Sequence, residues 1–380
     1  MSESDQNYVG RAQRFVDEYT RGLNIRDFRR LFDQDATHAY KVLARDQDDD
    51  GLPEQEFSRF FHRLRIFFLG LSYKLTPARR LLFVVSLLLV LFGLFTGPSF
   101  DLDGEKLHLY LEFSAIWFLA GAIGLVWLLA LELVDRVRVR DELEVARQLQ
   151  SDLLPKQAPD LTDYDFAHSY RTANEVGGDY YDFQHLPDGR LAILMGDASG
   201  HGIAAGLLMA IANATLKTAI DVDPEPVPVA TLLNSALYRT GDRRAFMTLF
   251  YGVLELDSGR MDFVIAGHPF PLVRRAGGAV EELGSGGLPL GLRREVDLHP
   301  LTVTLDPDDL LLLYTDGLPE AVDGPDGEAF GFDRLKELLA KAGSPAVLHD
   351  RILIDFDRHV ANEPLADDLT LVVLARLGRG

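Results

Sequence analysis

Two stretches without a single charge or proline constrain this chain more than any other feature. Residues 81–97 read LLFVVSLLLVLFGLFTG and residues 113–131 read FSAIWFLAGAIGLVWLLAL. A helix rises about 1.5 Å per residue and the hydrocarbon core of a bilayer is about 30 Å thick, so each run spans it or nearly does. Both runs are apolar on every helical face, which argues against a pair of core helices in a soluble domain. The connection PSFDLDGEKLHLY is short and mostly acidic. Arg79 and Arg80 precede the first run, and Arg136, Arg138 and Arg140 follow the second. The excess of positive charge on that side places both termini in the cytoplasm. The first sixty residues are too polar for a cleavable signal peptide. The expectation is a multi-pass, two-span hairpin over 78–134 in a bacterial inner (cytoplasmic) membrane, with soluble parts on one side.

Before the hairpin, residues 1–75 read as a small helical cytoplasmic domain, with Phe15, Tyr19, Leu23, Phe28, Leu31 and Phe32 as candidate core. Within it, DQDDDGLPEQEF places Asp46, Asp48, Asp50 and Gly51 like the start of an EF-hand loop. Its twelfth position is Phe57, however, where that loop needs a bidentate glutamate, so a solvated acidic turn is the better reading. After the hairpin, residues 135–155 form an uninterrupted helical pattern closed by Pro155. Val139, Leu143, Ala146, Gln150 and Leu153 follow the four-three spacing of a coiled-coil seam. That seam suggests a homodimer through a linker helix that could serve as a switch.

The remainder, 156–380, mixes short strand patterns with helices. It holds 19 Lys and Arg against 35 Asp and Glu, or -16 of the formal net charge of -20. Such a surface repels nucleic acid and suits a site that concentrates divalent cations. The chain has no cysteine, which excludes thiolate ligands, disulfides and a cysteine nucleophile. YDFAHSYRTA and DYYDFQHL alternate like strands. RLAILM and LLLLY read as buried strands, and HGIAAGLLMAIANATLKTAI as a helix. Carboxylates recur at the ends of these strands: Asp179, Asp197, Asp316 and the pair Asp367–Asp368. Oxygen donors without an associated thiolate or imidazole favour Mg²⁺ or Mn²⁺ over Zn²⁺. Converging carboxylates repel one another, and bound cations would remove that repulsion.

EVGGDYYDF, GDASGHG, AGHPFPLV, GLPLGL, YTDGLPEA and ADDLTLVV occur here in one order. In that order the chain resembles the SpoIIE/RsbU-type serine/threonine phosphatases of the PPM class, and ARQLQSDLLP resembles the helix that introduces their domains. The resemblance covers about residues 140–377. It implies an α+β fold, the PPM-type α-β-β-α sandwich of two mainly antiparallel sheets flanked by helices, here preceded by the membrane hairpin and the small helical domain. It also implies two Mn²⁺ or Mg²⁺ ions, with Asp197 bridging them, the Ala198 carbonyl facing one, and Asp316 and Asp367 on the other. Asp179 would act directly or through water, and Asp368 as a ligand or an orienter. His201 could protonate the leaving oxygen or simply stabilise a helix start, and His268 reads as a strand-end packing residue. No arginine stands out as dedicated to the phosphate. The implied substrate is a phosphorylated STAS-domain anti-anti-sigma protein in a partner-switching pathway. A membrane signalling scaffold that keeps the fold without catalysis is the alternative. A nucleotide cyclase, suggested by GGDYY, leaves the later aspartate motifs without a role.

Overall fold

The computed structural model describes residues 65, 68–95, 104–200, 202–240, 245–323, 327–341, 343–361 and 365–378. The candidate core and acidic turn of residues 1–64 lie outside the described residues, as does His201. The chain divides into two compact units, 1–137 and 138–380.

In the first unit, helix α1 (Pro77–Phe95) packs against the start of helix α2 (Gly104–Leu153). Small residues set how closely they approach. A Cβ on Gly124 would collide with the Ser86 hydroxyl, and one on Gly93 would lie 2.7 Å from the Phe118 amide nitrogen. The Ser114 hydroxyl donates to the Gly93 carbonyl at 2.6 Å, a polar tie between two otherwise apolar helices. At the charged end, Arg79 holds Glu132 at 2.9 Å and Asp135 at 2.6 Å. Large apolar side chains such as Leu88, Ile116, Trp127 and Leu129 point outward and are exposed. Helix α2 runs from Gly104 to Leu153 and so takes in the residues of the expected linker helix up to Leu153.

The second unit is built from two five-stranded sheets. Strands β1 (Tyr164–Arg171), β2 (Asp179–His185) and β3 (Leu191–Ala198) precede helices α3 (Ile203–Val222) and α4 (Pro226–Thr240). Then come β4 (Met247–Leu254), β5 (Arg260–Ala266), β6 (Leu272–Arg274), β7 (Val280–Glu282), β8 (Leu301–Thr304) and β9 (Leu310–Tyr314). Helices α5 (Phe332–Ala340) and α6 (Pro345–Val360) lead to β10 (Leu369–Arg376). One sheet has the order β1-β10-β9-β6-β7 and the other β2-β3-β4-β5-β8, and every strand pair is antiparallel.

Strand periodicity explains the layers. In β9, Leu311 and Leu313 face a core shared by the two sheets, while Leu310, Leu312 and Tyr314 face α5 and α6. In β10, Val372 and Leu374 face the first core, and Leu369, Leu371, Val373 and Ala375 the second. Both faces of these strands are therefore dry, which is why they read as continuous apolar runs. Helices α3 and α4 cover the outer face of the other sheet. The result is the four-layer α-β-β-α sandwich. Helix α3 is long and apolar enough to cross a membrane, as are α1 and residues 114–153. Unlike those two, it buries Met209, Ala212, Leu216 and Ala219 within the sandwich.

Candidate active site

The two sheets bring their aspartates together at one end of the sandwich. Asp179 opens β2 and stands directly opposite Asp197 in the β2–β3 ladder. From the other sheet, Asp316 follows β9, and Asp367 and Asp368 lead into the neighbouring strand β10. Thr315 and Thr370 cross between the sheets: their hydroxyls donate to Asp179 Oδ2 at 2.7 Å and 2.6 Å.

Asp368 serves the backbone. Its Oδ1 accepts from the Ala173 amide at 2.8 Å, and its Oδ2 from Gly178 at 2.5 Å and from Asp179 at 3.4 Å. Asp367 in turn accepts from the Asp368 amide at 2.8 Å. The glycine before Asp179 is needed for close approach, since a Cβ on Gly178 would lie 2.6 Å from the Ala198 carbonyl oxygen and 2.9 Å from Asp197 Oδ1. Beneath Asp197, Thr248 sits opposite it in β4 and accepts its amide at 3.1 Å. The Thr248 hydroxyl lies 2.9 Å from His268 Nδ1. Burial drives the His268 pKa down to about 3, so its imidazole stays neutral. This agrees with the packing role expected for it.

Electrostatics show how tightly the carboxylates are grouped. Burial pushes the Asp197 pKa up to about 8, with further contributions from Asp316, Asp367 and Asp368. Asp179 is raised by burial and then by Asp197, against the two threonine hydrogen bonds that lower it. Asp316 reaches about 6 through burial, Asp367 and Glu320. For Asp197, a hydrogen bond with Asp179 works against burial and the neighbouring charges and lowers the pKa. Among the described residues, no three Asp, Glu or His side chains close around a single point as an ion's complete shell would. The donor chemistry nevertheless fits a hard divalent cation, because every nearby group is an oxygen and the acids raise one another's pKa. The Tyr170 hydroxyl supplies a second observation. It is buried without a hydrogen-bond partner beside Asp368, Asp179 and Asp197. A cation with its bound water would satisfy such an atom.

All five sequence-chosen aspartates and Ala198 thus belong to one neighbourhood. Sequence reasoning missed Tyr170, Thr248, Thr315 and Thr370. For the last two a signal was present, as YTDG and DDLT each set a threonine within two residues of an aspartate. It also treated Gln150 as a seam position. Gln150 is instead buried, donating through Nε2 to the Gly177 carbonyl at 2.6 Å and accepting the Gly177 amide at Oε1 at 2.9 Å.

Two inward-packed antiparallel sheets between helix layers, with acids at one end, define a phosphatase-type sandwich. The solved SiaA-PP2C domain of Pseudomonas aeruginosa is similar in fold, with a TM-score of 0.57 at 21% identity, over 64% of this chain and 99% of that one. The family model described as Stage II sporulation protein E (SpoIIE) matches residues 187–377. The chain belongs to the SpoIIE family. That match includes Asp197, Asp316, Asp367 and Asp368 and begins beyond Asp179. Protein IcfG of Synechocystis is 28% identical over 66% of this chain and 43% of its own length. Phosphoserine phosphatase RsbP of Bacillus subtilis is 27% identical over 63% of this chain and 59% of its own. The chain therefore spans about half the length of these relatives.

Proposed function

We propose that the chain is a metal-dependent protein serine/threonine phosphatase held in a membrane by α1 and the first part of α2. One observation carries this reading: acids from adjacent strands of two different sheets meet at one end of the sandwich, where burial and mutual repulsion raise their pKa values. The family and the phosphoserine phosphatase among the relatives support it.

Asp197 would lie between two Mn²⁺ or Mg²⁺ ions, with the Ala198 carbonyl on one and Asp316 and Asp367 on the other. Bound there, the ions would supply an activated water and neutralise charge on the phosphoryl oxygens. The chain's own residues hold the geometry. Asp368 fixes the Gly178–Asp179 backbone as an orienter, Thr315 and Thr370 aim Asp179, and Thr248 anchors the strand end carrying Asp197. Tyr170 is placed to donate to a ligand of the cleft, and His201 is the proposed proton donor to the leaving serine or threonine oxygen. The proposed substrate is a phosphorylated STAS-domain anti-anti-sigma protein in a partner-switching pathway.

The arginines at 79–80 and 136–140 support a hairpin with both termini cytoplasmic. A reporter at Gly104 should then be external and one after residue 150 cytoplasmic, and the reverse pattern would refute the topology. The end of α2 is proposed as a dimeric switch. Gln150 grips Gly177, two residues before Asp179, so rotation of the helix would pull directly on the site. Leu143→Glu and Leu153→Glu should change both dimerisation and rate, and dimers with unchanged kinetics would make the helix a tether only. For the activity itself, the test is hydrolysis of p-nitrophenyl phosphate by the full chain in detergent with Mn²⁺. Phosphorylated STAS-domain proteins of the same genome follow as substrates. Mn²⁺-independent turnover, or none, would refute the proposal.

A further inference from the structure

Several arginines of this acidic domain hold carboxylates. Arg171 holds Asp357, Arg190 holds Asp188 and Glu225, Arg275 holds Glu281 and Asp309, and Arg334 holds Asp355. Arg274, Arg351 and Arg376 hold backbone carbonyls instead, and among the described residues of the domain Arg239, Arg293, Arg294 and Arg358 hold neither. Arg239, Arg293 and Arg294 are exposed, and none makes an ion pair or side-chain hydrogen bond among the described residues. Arg239 and Arg294 line one pocket of about 600 Å³ between α4 and the segment after Gly291. Tyr238 stands beside them, and Val296 and Leu298 supply apolar surface.

The backbone under these arginines is held firmly. Asn234 of α4 is buried and uses its whole amide on the facing segment. Its Nδ2 donates to the Arg293 and Arg294 carbonyls at 3.2 Å and 3.1 Å, and its Oδ1 accepts the Gly291 amide at 2.8 Å. The segment is therefore fixed while its guanidinium groups remain free. It also adjoins the aspartate cleft. Leu290 pairs with Met247 through two backbone hydrogen bonds, and Phe246 pairs with Ser199, two residues beyond Asp197.

We infer that this pocket docks an acidic segment of the phosphoprotein substrate, close to its phosphorylated residue. The inference rests on the phosphatase reading above and names the recognition that reading lacks. Guanidinium groups form paired hydrogen bonds with carboxylates, and among the described residues these have none already made. The domain's overall negative charge repels an acidic partner at long range, so these arginines provide local attraction that also selects orientation. Glu295, also in the lining, disfavours a segment whose acids fall out of register with the arginines.

The test uses the full chain in detergent with Mn²⁺ and two phosphoserine peptides, one flanked by aspartates and glutamates and the other by asparagines and glutamines. The wild type should favour the acidic peptide in kcat/KM by about tenfold, mainly through KM and more so at low salt. Arg239→Glu with Arg294→Glu should abolish or invert that preference, and the milder pair Arg239→Gln with Arg294→Gln should reduce it. Hydrolysis of p-nitrophenyl phosphate, which carries no acidic segment, reports on the aspartate cleft and should stay within about twofold in both variants. Fluorescence anisotropy of the unphosphorylated acidic peptide should show the same loss of binding without any turnover. Equal use and equal binding of the two peptides by wild type and variants would overturn the docking inference. Absence of p-nitrophenyl phosphate hydrolysis in the wild type would instead count against the phosphatase reading, while the anisotropy result would still decide whether the pocket binds acids.

Discussion

The hairpin and the sandwich use the same residue types in opposite senses. In the hairpin the large apolar side chains face outward, with Trp127 62% exposed, and small residues fill the contact between helices. In the sandwich the apolar side chains lie between layers, with Tyr180 and Phe250 fully buried, while the charged groups crowd one end. Glycine follows suit. Gly124 lets one helix rest on Ser86 of another, whereas Gly178 lets a loop press Asp179 towards the Ala198 carbonyl. Outward apolar surface costs nothing if lipid covers it, and grouped carboxylates cost little if cations cover them. On the proposed function each region awaits a different component: lipid for one, divalent cations for the other.

The largest effect is expected at Gly178. Gly178→Ala puts a methyl group against Asp197 and the Ala198 carbonyl. A ligand displaced by about 1 Å can lose on the order of a hundredfold in rate. Phosphatase turnover should fall by at least that much while circular dichroism stays unchanged. Retention of more than about a tenth of wild-type turnover would mean that the loop does not need this close approach.

A smaller effect is expected from the threonines. Thr315→Val with Thr370→Val removes both side-chain hydrogen bonds to Asp179. Hydrogen bonds to a charged group contribute about 1.5–3 kcal/mol each, so Mn²⁺ affinity should weaken by about tenfold or more. Unchanged affinity by calorimetry would remove the threonines from the site.

Stability against pH separates the two regions next. With folded pKa values of about 8 for Asp197 and about 6 for Asp316, both above the ordinary carboxylate value, the folded sandwich binds protons that the unfolded chain has released. Metal-free stability should therefore be greatest in mild acid and decline as pH rises through about 6 and then about 8. Saturating Mn²⁺ should flatten or reverse that decline, as followed by the melting temperature in detergent. A metal-free melting temperature that rises from pH 5 to pH 9 would contradict the sign.

The mildest effect on catalysis should come from the hairpin. Gly124→Leu drives a side chain into Ser86 and should separate α1 from α2. Cross-linking between cysteines introduced at positions 86 and 124 of an otherwise wild-type chain would report the native contact. Hydrolysis of p-nitrophenyl phosphate by Gly124→Leu in detergent should stay within about twofold, since the substitution lies outside the sandwich. A large loss of that activity would show that the hairpin and the sandwich are energetically coupled.

Legibility in the sequence followed the physics of each region. The two apolar runs and the doubly buried strands β9 and β10 announce themselves, because each is apolar without interruption. The aspartates could be read because glycine and strand ends frame them. Strands β7 and β8 could not: Val280–Glu282 has three residues and two of them are exposed acids, so no alternation develops. The threonines were hidden for another reason. Thr315 reaches Asp179 across 136 positions, and only the pairing of two sheets makes them neighbours. Gln150 fits a helical seam and a buried bracket on Gly177 equally well until the fold is known.

On the proposed function the aspartates at the end of the sandwich jointly hold two divalent cations. Titration of the metal-free full chain with Mn²⁺ by calorimetry, at pH 7.5 in detergent, measures this most directly. Two ions per chain should bind, and Asp197→Asn should lose at least one of them while retaining its circular dichroism spectrum. Binding of no Mn²⁺ by the wild type, or the same two ions by Asp197→Asn, would contradict it.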